Sequence, residues 1–263
     1  MYKSQKLFVG LIFVVTLLVG ACQTPSRPYV KAPFTALDTL STNDWWNRKT
    51  SKIIDMKVPR DQVVAFGIYT TSNNTLKLSA QLFPLHPEES RTVRLSLYKN
   101  DQWEEVQSQE VNEIGWSALF RIENWDMNRS VKYKLFHGQN ASFEGVIRKD
   151  PKEKSEITLA ALSCNSNKDR GDREEYIRNI NALDPDFVFF AGDQSYDHKE
   201  HTAAWLKFGM QFREVFRDRP CVTIPDDHDI GQGNLWGESG QKSMRKDGND
   251  GGYYFHPEYV KMV

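Results

Sequence analysis

Metal-ligating residue types occur at three points in the second half of the sequence. Cys164 follows one short apolar run, Asp193 and Tyr196 follow a second, and the segment Asp226-Asp-His-Asp229 follows a third. Thiolate, carboxylate, phenolate and imidazole groups are common protein ligands of metal ions. Three acidic side chains around one histidine are costly on an apolar scaffold unless a cation balances them. The pattern therefore predicts a metal site.

The three points coincide with the expected ends of buried strands. Phe187–Ala191 has the length and apolar character of a strand in a parallel sheet, and Ile157–Ser163 and Cys221–Pro225 have the same layout. Ligands in open α/β sheets lie beyond the carboxyl ends of the strands, so the three segments would meet there. Gly192, directly before Asp193, allows a close approach of the backbone.

Helical patterns separate these strands. Asp172 and Glu175 have the spacing of a capping box, and a second helix is expected from about Thr202 to Arg217. The first helix has an apolar face formed by Tyr176, Ile177, Ile180 and Leu183. Strands that alternate with helices predict an α/β domain with a mostly parallel sheet.

The sequence from about residue 63 to residue 147 has a period of two instead. Apolar and polar residues alternate in four runs, for example from Leu76 to Leu82, and turn residues such as Ser72-Asn-Asn74 separate the runs. The spacing predicts an antiparallel sandwich of roughly immunoglobulin size. Its tryptophans either bind sugar at the surface or, as is usual in such folds, pack in the core or between domains.

Together the three motifs resemble those of the alkaline phosphatase D branch of the calcineurin-like metallophosphoesterases. Ser163-Cys164, Gly192-Asp-Gln-x-Tyr196 and Asp226-Asp-His-Asp229 occur in the family's order and spacing. The resemblance implies part of a metallophosphoesterase domain of the layered α/β/β/α type, preceded by an all-β immunoglobulin-like sandwich. It also implies hydrolysis of phosphoester substrates, by a phosphatase or phosphodiesterase that uses two metal ions and a metal-bound hydroxide.

The resemblance assigns metal ligands. Asp193 would bridge the two ions. Cys164 and Tyr196 would hold one of them, and this ion is expected to be Fe(III), because thiolate and phenolate ligands favour it. Asp227 would bind the second ion, Ca(II) or another divalent ion. Taken singly, Cys164 is also typical of a small buried residue, Asp193 of a helix N-cap and Tyr196 of packing. No residue is assigned to an organic cofactor.

The remaining polar residues near the motifs have other expected roles. By the same resemblance, His228 would act as general acid or stabilise a phosphate oxygen. Asp226 and Asp229 would orient the ligands. His198 and His201 have the spacing of a ligand pair, but their charged neighbours favour a solvated helix start.

The N-terminus has the features of a bacterial lipoprotein signal. A basic start precedes an apolar stretch, Leu7 to Ala21, which is short for a membrane span. The segment Leu18-Val-Gly-Ala-Cys22 resembles a lipobox, which would make Cys22 the lipidated first residue, and an ordinary signal peptide cut nearby is the alternative. Gln23 follows in place of an aspartate, so we expect a lipid anchor in the cell envelope, at the bacterial outer membrane or cell surface.

Composition and charge set the remaining bounds. Lys and Arg number 34 against 35 Asp and Glu, a net charge of -1 that does not indicate a nucleic-acid-binding patch. We expect residues 1–21 to be the signal peptide, 22–35 a tether, 36–150 the sandwich and 151–263 the first part of the metallophosphoesterase domain. The sequence leaves the oligomeric state, the substrate and the identity of the metals open.

The other two cysteines are expected to be unpaired. Cys164 closes one strand and Cys221 opens another, so parallel neighbours would hold them at opposite ends of the sheet. That separation is roughly 15 Å, well beyond disulfide reach.

The family's metal site is completed by Asp and His ligands further along than the third motif. We therefore expect this sequence to be an N-terminal fragment that is inactive alone, and a degenerate homologue is the other interpretation. A different class of function is also open. In that alternative the chain is a non-catalytic surface lipoprotein whose β-sandwich binds a glycan or a protein.

Overall fold

A computed structural model describes residues 51–165, 171–196 and 201–229. The signal peptide, Cys22, the tether, His198 and residues 230–263 lie outside the described residues, so what the sequence predicts for them stays a prediction. Among the helices within the described ranges, none is long and apolar enough to cross a membrane.

Alternation of apolar and polar residues produces antiparallel strands in the first half of the chain. These strands are β1 (Val64–Ser72), β2 (Thr75–Leu82), β3 (Thr92–Lys99), β4 (Gln102–Glu110), β5 (Ser117–Glu123), β6 (Val131–His137) and β7 (Ala141–Ile147). They form one sheet of order β1-β2-β5 and another of order β4-β3-β6-β7. We call this region the antiparallel half.

The two sheets of the antiparallel half share one apolar core. Leu76 and Leu78 from one sheet and Leu95 and Leu135 from the other are at most 2% exposed and belong to the same buried cluster. The hairpin between β1 and β2 turns through Asn73 and Asn74, with φ of 50° and 55°. Two consecutive positive φ values define the hairpin turn that matches strand twist. The predicted alternation and turns are confirmed.

Strands and helices alternate after residue 158, as predicted. The elements are β8 (Leu159–Leu162), α1 (Arg173–Leu183), β9 (Phe187–Ala191), α2 (His201–Gln211), α3 (Arg213–Asp218) and β10 (Cys221–Ile224). The three strands are parallel, in the order β10-β9-β8. We call this region the α/β half. Strand β8 is shorter than predicted, and Ile157, expected within it, is 54% exposed.

Helix α1 begins as the sequence predicts but packs differently. The Asp172 side chain caps it, because Oδ1 accepts hydrogen bonds from the backbone N–H groups of Glu174 (2.9 Å) and Glu175 (3.3 Å). The predicted apolar face is wrong in part. Tyr176 and Leu183 are 42% and 69% exposed, and Ile180 is the residue of this helix that is buried.

The predicted single helix from Thr202 to Arg217 is wrong, because the chain turns at Phe212 between α2 and α3. The Phe212 carbonyl accepts from the N–H of Val215 (2.9 Å) and of Phe216 (3.0 Å). The turn brings the Phe212 ring 5.0 Å from the ring centroid of Phe190 on β9. Phe208 and Phe216 join the same cluster. Aromatic packing against the sheet therefore sets the break, which helical periodicity does not reveal.

The helices of the α/β half pack directly on the antiparallel half. The ring of Phe66 on β1 lies 5.6 Å from that of Phe216 on α3, centroid to centroid. Gly209 makes room for Phe66, because a Cβ at Gly209 would overlap the Phe66 ring. The indole Nε1 of Trp205 donates to Oε1 of Gln81 on β2 at 3.0 Å. We call this contact region the junction.

The tryptophans of the antiparallel half pack mostly in its interior. Trp116 and Trp125 are 3% and 7% exposed. Trp103 is partly buried, and its ring lies 5.3 Å from that of Tyr98. Two of these three side chains therefore contribute to packing, which was the more usual of the two predicted roles.

The prediction that Cys164 and Cys221 are unpaired is confirmed, since both are free. One part of the argument for it was wrong, because their strands are not neighbours: β9 lies between β8 and β10. Cys221 is buried, and this burial raises the pKa of its thiol. Cys164 is exposed at the other end of the sheet.

Candidate metal centre

Two site residues adopt an uncommon backbone conformation at the ends of β8 and β9. Cys164 and Asp193 have φ of 58° and 56°, the left-handed region that non-glycine residues seldom occupy. The loops that carry them are hydrogen-bonded together. Cys164 N–H donates to the Gly192 carbonyl (3.3 Å) and Asn165 N–H to the Asp193 carbonyl (2.8 Å). These bonds hold the two side chains on one edge of the sheet. Strained backbone conformations, such as the positive φ of Cys164 and Asp193, are often found at functional sites.

Gly192 is required by its neighbours as well as by its backbone. Its φ is +84°, and a Cβ there would lie 2.5 Å from the Cβ of Asp226. Asp226 belongs to the loop after β10, so the glycine lets this loop approach the loop after β9. The close backbone approach that Gly192 was expected to allow therefore occurs, and the group it approaches is the side chain of Asp226.

Asp193 lies at the centre of the site and is 8% exposed. Its Oδ2 accepts a hydrogen bond from the Tyr196 hydroxyl (2.8 Å) and is 3.8 Å from the Cys164 sulfur. Its Oδ1 is buried without a hydrogen-bond partner in the described part of the chain. A buried carboxylate oxygen with no partner is unfavourable, and a cation would satisfy it.

A three-residue group in this site has the geometry of metal ligands. Asp193, Asp227 and His228 each offer one ligand atom, and these atoms lie within 4.8 Å of one another. Two carboxylates and an imidazole are an ordinary donor set for divalent ions. The donor set and the partnerless Oδ1 of Asp193 therefore fit a bound metal ion.

Tyr196 connects the predicted ligands to one another. Besides its bond to Asp193, its ring lies 4.3 Å from the imidazole of His228, centroid to centroid. Burial raises the pKa of the Tyr196 phenol, and its hydrogen bonds with Cys164 and Asp193 raise it further. The Tyr196 hydroxyl donates its proton towards the Asp193 carboxylate. The structure thus brings together Cys164, Asp193, Tyr196, Asp227 and His228.

The two other acidic residues of the third motif hold the loops in place. Asp229 is 2% exposed, and its carboxylate accepts from the N–H groups of Ser195 (3.1 Å) and Asp226 (3.0 Å). It thereby joins the loop after β9 to the loop after β10. Burial raises the pKa of Asp229 to about 6, and the hydrogen bonds oppose this shift. Asp226 Oδ1 accepts from the N–H of Asp227 at 2.8 Å.

Two further polar residues support the site and were not found from the sequence. Gln194 is 3% exposed, and its Nε2 donates to the carbonyls of Phe190 (3.3 Å) and Ile224 (3.2 Å), which ties β9 to β10. His201 is 7% exposed, and burial lowers its pKa to about 4. The expected solvated helix start is therefore wrong for His201. The apolar helix that follows was the available signal of its burial.

Comparisons with known proteins identify a similar fold. No protein-family model matches the sequence, and no curated protein does. The solved structure of PhoD is similar, with a TM-score of 0.57 and 15% identity, over 72% of this chain and 44% of PhoD. A purple acid phosphatase from yellow lupin (Lupinus luteus) seeds has a TM-score of 0.49 and 14% identity, over 72% and 38%.

This chain thus spans less than half the length of the two solved phosphatases. At such identity the likeness to PhoD is a likeness of fold, and it supports a metallophosphoesterase-like fold. The alternation of elements in the α/β half, with acidic side chains at the strand ends, agrees with that fold.

Proposed function

We propose that this chain belongs to a metal-dependent phosphoester hydrolase, a phosphatase or phosphodiesterase. One observation carries the proposal. Ligand atoms of Asp193, Asp227 and His228 lie within 4.8 Å of one another, beside a buried Asp193 oxygen that has no partner among the described residues. A fold similar to PhoD supports the same class.

The two oxygens of Asp193 face different surroundings, which suits a bridge between two metal ions. Oδ2 contacts Tyr196 and Cys164, whose oxygen and sulfur would favour Fe(III). Asp227, whose ligand atom lies within 4.8 Å of that of Asp193, would bind Ca(II) or another divalent ion. Bound ions would supply Lewis-acid stabilisation of the phosphoryl group and lower the pKa of a coordinated water.

His228 is the residue we propose as general acid or as a donor to a phosphate oxygen. The side chain is partly exposed. The backbone N–H of His228 donates to Asp227 Oδ1 at 3.0 Å, which fixes the backbone next to that carboxylate. In its protonated form the imidazole would donate a proton to the oxygen that leaves phosphorus. Asp229 holds the loop that carries His228 through its bonds to Ser195 and Asp226.

The test is metal content and hydrolysis in a pair of aspartate variants. Asp193→Asn removes the central carboxylate, and Asp61→Asn changes an exposed aspartate of the antiparallel half. In the full-length protein, we expect Asp193→Asn to lose metal and to lower kcat/KM for bis(4-nitrophenyl) phosphate by about a hundredfold or more, roughly 3 kcal/mol. Asp61→Asn should match the parent chain. Full metal occupancy with unchanged turnover in Asp193→Asn would rule out the assignment.

Alkylation of the two cysteines tests the thiolate ligand separately. Cys164 is exposed and free, whereas Cys221 is buried and serves as an internal control. If Cys164 binds iron, loading the chain with metal should slow its reaction with iodoacetamide by about tenfold or more, because the metal would occupy the sulfur lone pair with which the thiolate attacks. An unchanged rate in the loaded chain would remove Cys164 from the ligand set.

We further propose that the antiparallel half is an immunoglobulin-like sandwich and that Cys22 carries a lipid anchor in the bacterial cell envelope, at the outer membrane or surface. Two antiparallel sheets of three and four strands support the first statement. The intact mass of the mature protein from its host tests the second. A species heavier than residues 22–263 by a lipid would support the anchor, and an unmodified start elsewhere would refute it. A larger excess would also show further chain to complete the ligand set.

The alternative function is a non-catalytic lipoprotein with a glycan- or protein-binding sandwich. Of the sandwich tryptophans, Trp116 and Trp125 are buried and offer no sugar-binding surface, whereas Trp103 is partly exposed. Metal content separates the two proposals, because a binding module does not need metal at the ends of β8, β9 and β10.

A further inference from the structure

A cleft of about 610 Å³ opens directly beside the candidate metal centre. Cys164 and Tyr196 line it, and the same two side chains contact the central carboxylate of Asp193. The cleft continues from the metal centre towards α1 and the turn at Phe212. Its volume is that of a site for a small molecule. A phosphoester bound at the metal centre would therefore place its alcohol part here.

The wall of the cleft away from the metal centre is apolar and aromatic. Leu162, Phe212 and Tyr176 contribute to it. Tyr176 is 42% exposed, although it lies one helical turn before the buried Ile180 on the same face of α1. Its ring lines the cleft rather than the core.

The ring of Tyr176 is held in one orientation by its neighbours. The guanidinium of Arg173 lies over it, 5.3 Å from the ring centroid, in a cation–π contact. Gly171 packs against the hydroxyl end, where a Cβ would come within 2.5 Å of the Tyr176 oxygen. An aromatic ring fixed before the ligand arrives loses little freedom on binding, which favours stacking.

We propose that this cleft selects phosphoesters whose alcohol part is a planar aromatic ring system. Tyr176 is the stacking residue, and Arg173 positions it. Offset or edge contacts between aromatic rings add attraction beyond the area they bury, which an aliphatic alcohol cannot provide. This inference rests on the proposed function, because it takes the phosphate to lie at the metal centre.

The test compares one aromatic and one aliphatic substrate in the metal-loaded full-length protein. The ratio of kcat/KM for 1-naphthyl phosphate to that for glycerol 1-phosphate should fall about tenfold in Tyr176→Ala, the factor that corresponds to about 1.4 kcal/mol. Tyr176→Phe keeps the ring and should restore most of the ratio. Leu183→Ala, an exposed residue of the same helix outside the cleft, is the control for α1. A ratio that is unchanged in Tyr176→Ala would overturn the inference.

Direct binding separates this inference from the proposed function. The fluorescence of 1-naphthylphosphonate, which has no ester bond to hydrolyse, reports its binding to the metal-loaded protein without turnover. If its binding weakens about tenfold in Tyr176→Ala while no variant hydrolyses 1-naphthyl phosphate, the cleft is supported and the hydrolase proposal fails. If metal-dependent hydrolysis occurs and neither ratio nor binding responds to Tyr176→Ala, the hydrolase stands and the cleft inference is wrong.

Discussion

The two halves of the molecule contain the same rare backbone conformation, positive φ at non-glycine residues, in different structural roles. In the antiparallel half, Asn73 and Asn74 have φ of 50° and 55° at a hairpin, where the turn itself demands positive values. In the α/β half, Cys164 and Asp193 have φ of 58° and 56° where strands finish beside the candidate metal centre. In the first case the conformation lets the chain reverse direction between two paired strands. In the second it aims side chains at a common point, at a cost in local strain.

Two buried polar side chains, one from each half, show a similar contrast. In the antiparallel half, Gln81 is fully bonded: its Nε2 donates to the carbonyls of Gly115 (2.9 Å) and Trp116 (3.1 Å), and its Oε1 accepts from Trp205 (3.0 Å). In the α/β half, Asp193 has one oxygen that no described residue satisfies. A buried side chain whose polar atoms all have hydrogen-bond partners stabilises the fold. A buried polar atom without a partner can instead bind a ligand.

The largest expected effect lies where the halves meet. Gly145 on β7 packs against α3, and a Cβ there would overlap the backbone carbonyl of Arg217. Since backbone cannot move aside as a side chain can, we expect Gly145→Ala to lower the free energy of unfolding by about 3 kcal/mol. Gly138→Ala is the control, since Gly138 has φ of +58° and open space around it.

Urea unfolding at constant pH would measure both variants. The control should cost roughly 1 kcal/mol, the penalty for a left-handed residue alone. Equal losses in the two variants would mean that the junction tolerates an added methyl group and is looser than the contacts indicate.

The next effect concerns pH, since each half contains a buried histidine. Burial lowers the pKa of His201 from 6.5 to about 4. Between those values the unfolded chain binds a proton at this histidine that the folded chain does not. The contribution of His201 to the free energy of unfolding is therefore fully present above pH 6.5 and falls as the pH drops towards 4. At about 1.36 kcal/mol per pKa unit, the full loss is about 3 kcal/mol.

Urea unfolding of His201→Asn at several pH values would isolate this contribution. The difference in slope between the parent chain and the variant measures the contribution of His201. Asp229, whose pKa burial raises to about 6, contributes a slope of the opposite sign in both chains, and His137, whose pKa burial lowers, contributes in both as well. The same slope in the variant and the parent chain would show that His201 is not a neutral buried group.

A smaller effect on stability, with a direct effect on the site, is expected at Gly192. Gly192→Ala would place a methyl group 2.5 Å from the Cβ of Asp226 and would force the two site loops apart. We expect a stability loss of about 2 kcal/mol and metal affinity weakened about tenfold. Isothermal titration with Ca²⁺ and with Zn²⁺ measures the affinity. Gly138→Ala, which strains the backbone without touching the site, should bind like the parent chain.

The smallest effect is expected at the cap of α1. Asp172→Ala removes the acceptor for the N–H groups of Glu174 and Glu175 and should cost about 1 kcal/mol. Asp172→Asn, which keeps an acceptor oxygen, should recover most of this loss. Circular dichroism with urea unfolding would measure both, and equal losses would show that the cap does not carry the stability of α1.

Local patterns predicted much of this fold. Alternation placed Leu76, Leu78 and Leu82 on the buried face of β2, and Asn-rich turns marked the hairpins, because both depend only on neighbouring residues. The exposure of Tyr176 and the burial of His201 were not predicted. Both depend on which surface each helix meets, which helical spacing alone does not fix.

The site shows the same limit at finer scale. Strand-end positions indicated that Cys164, Asp193 and Asp227 would come together, since parallel strands finish at one edge of the sheet. The partnerless Oδ1 of Asp193 and the contact between Gly192 and Asp226 could not be predicted. They depend on how the loops after β9 and β10 pack together, and no spacing in the sequence encodes these distances.

The junction has a consequence for how the chain would come apart. Because the Phe66 ring fills the space at Gly209 and Gln81 is bonded to Trp205, neither half keeps an intact surface without the other. We expect heating to melt them in a single transition. A protease cut near Glu156 should leave two fragments that stay bound to each other. Substitutions at Phe66 would then change activity, so the antiparallel half would act as the fixed support of the chemistry rather than as a removable module.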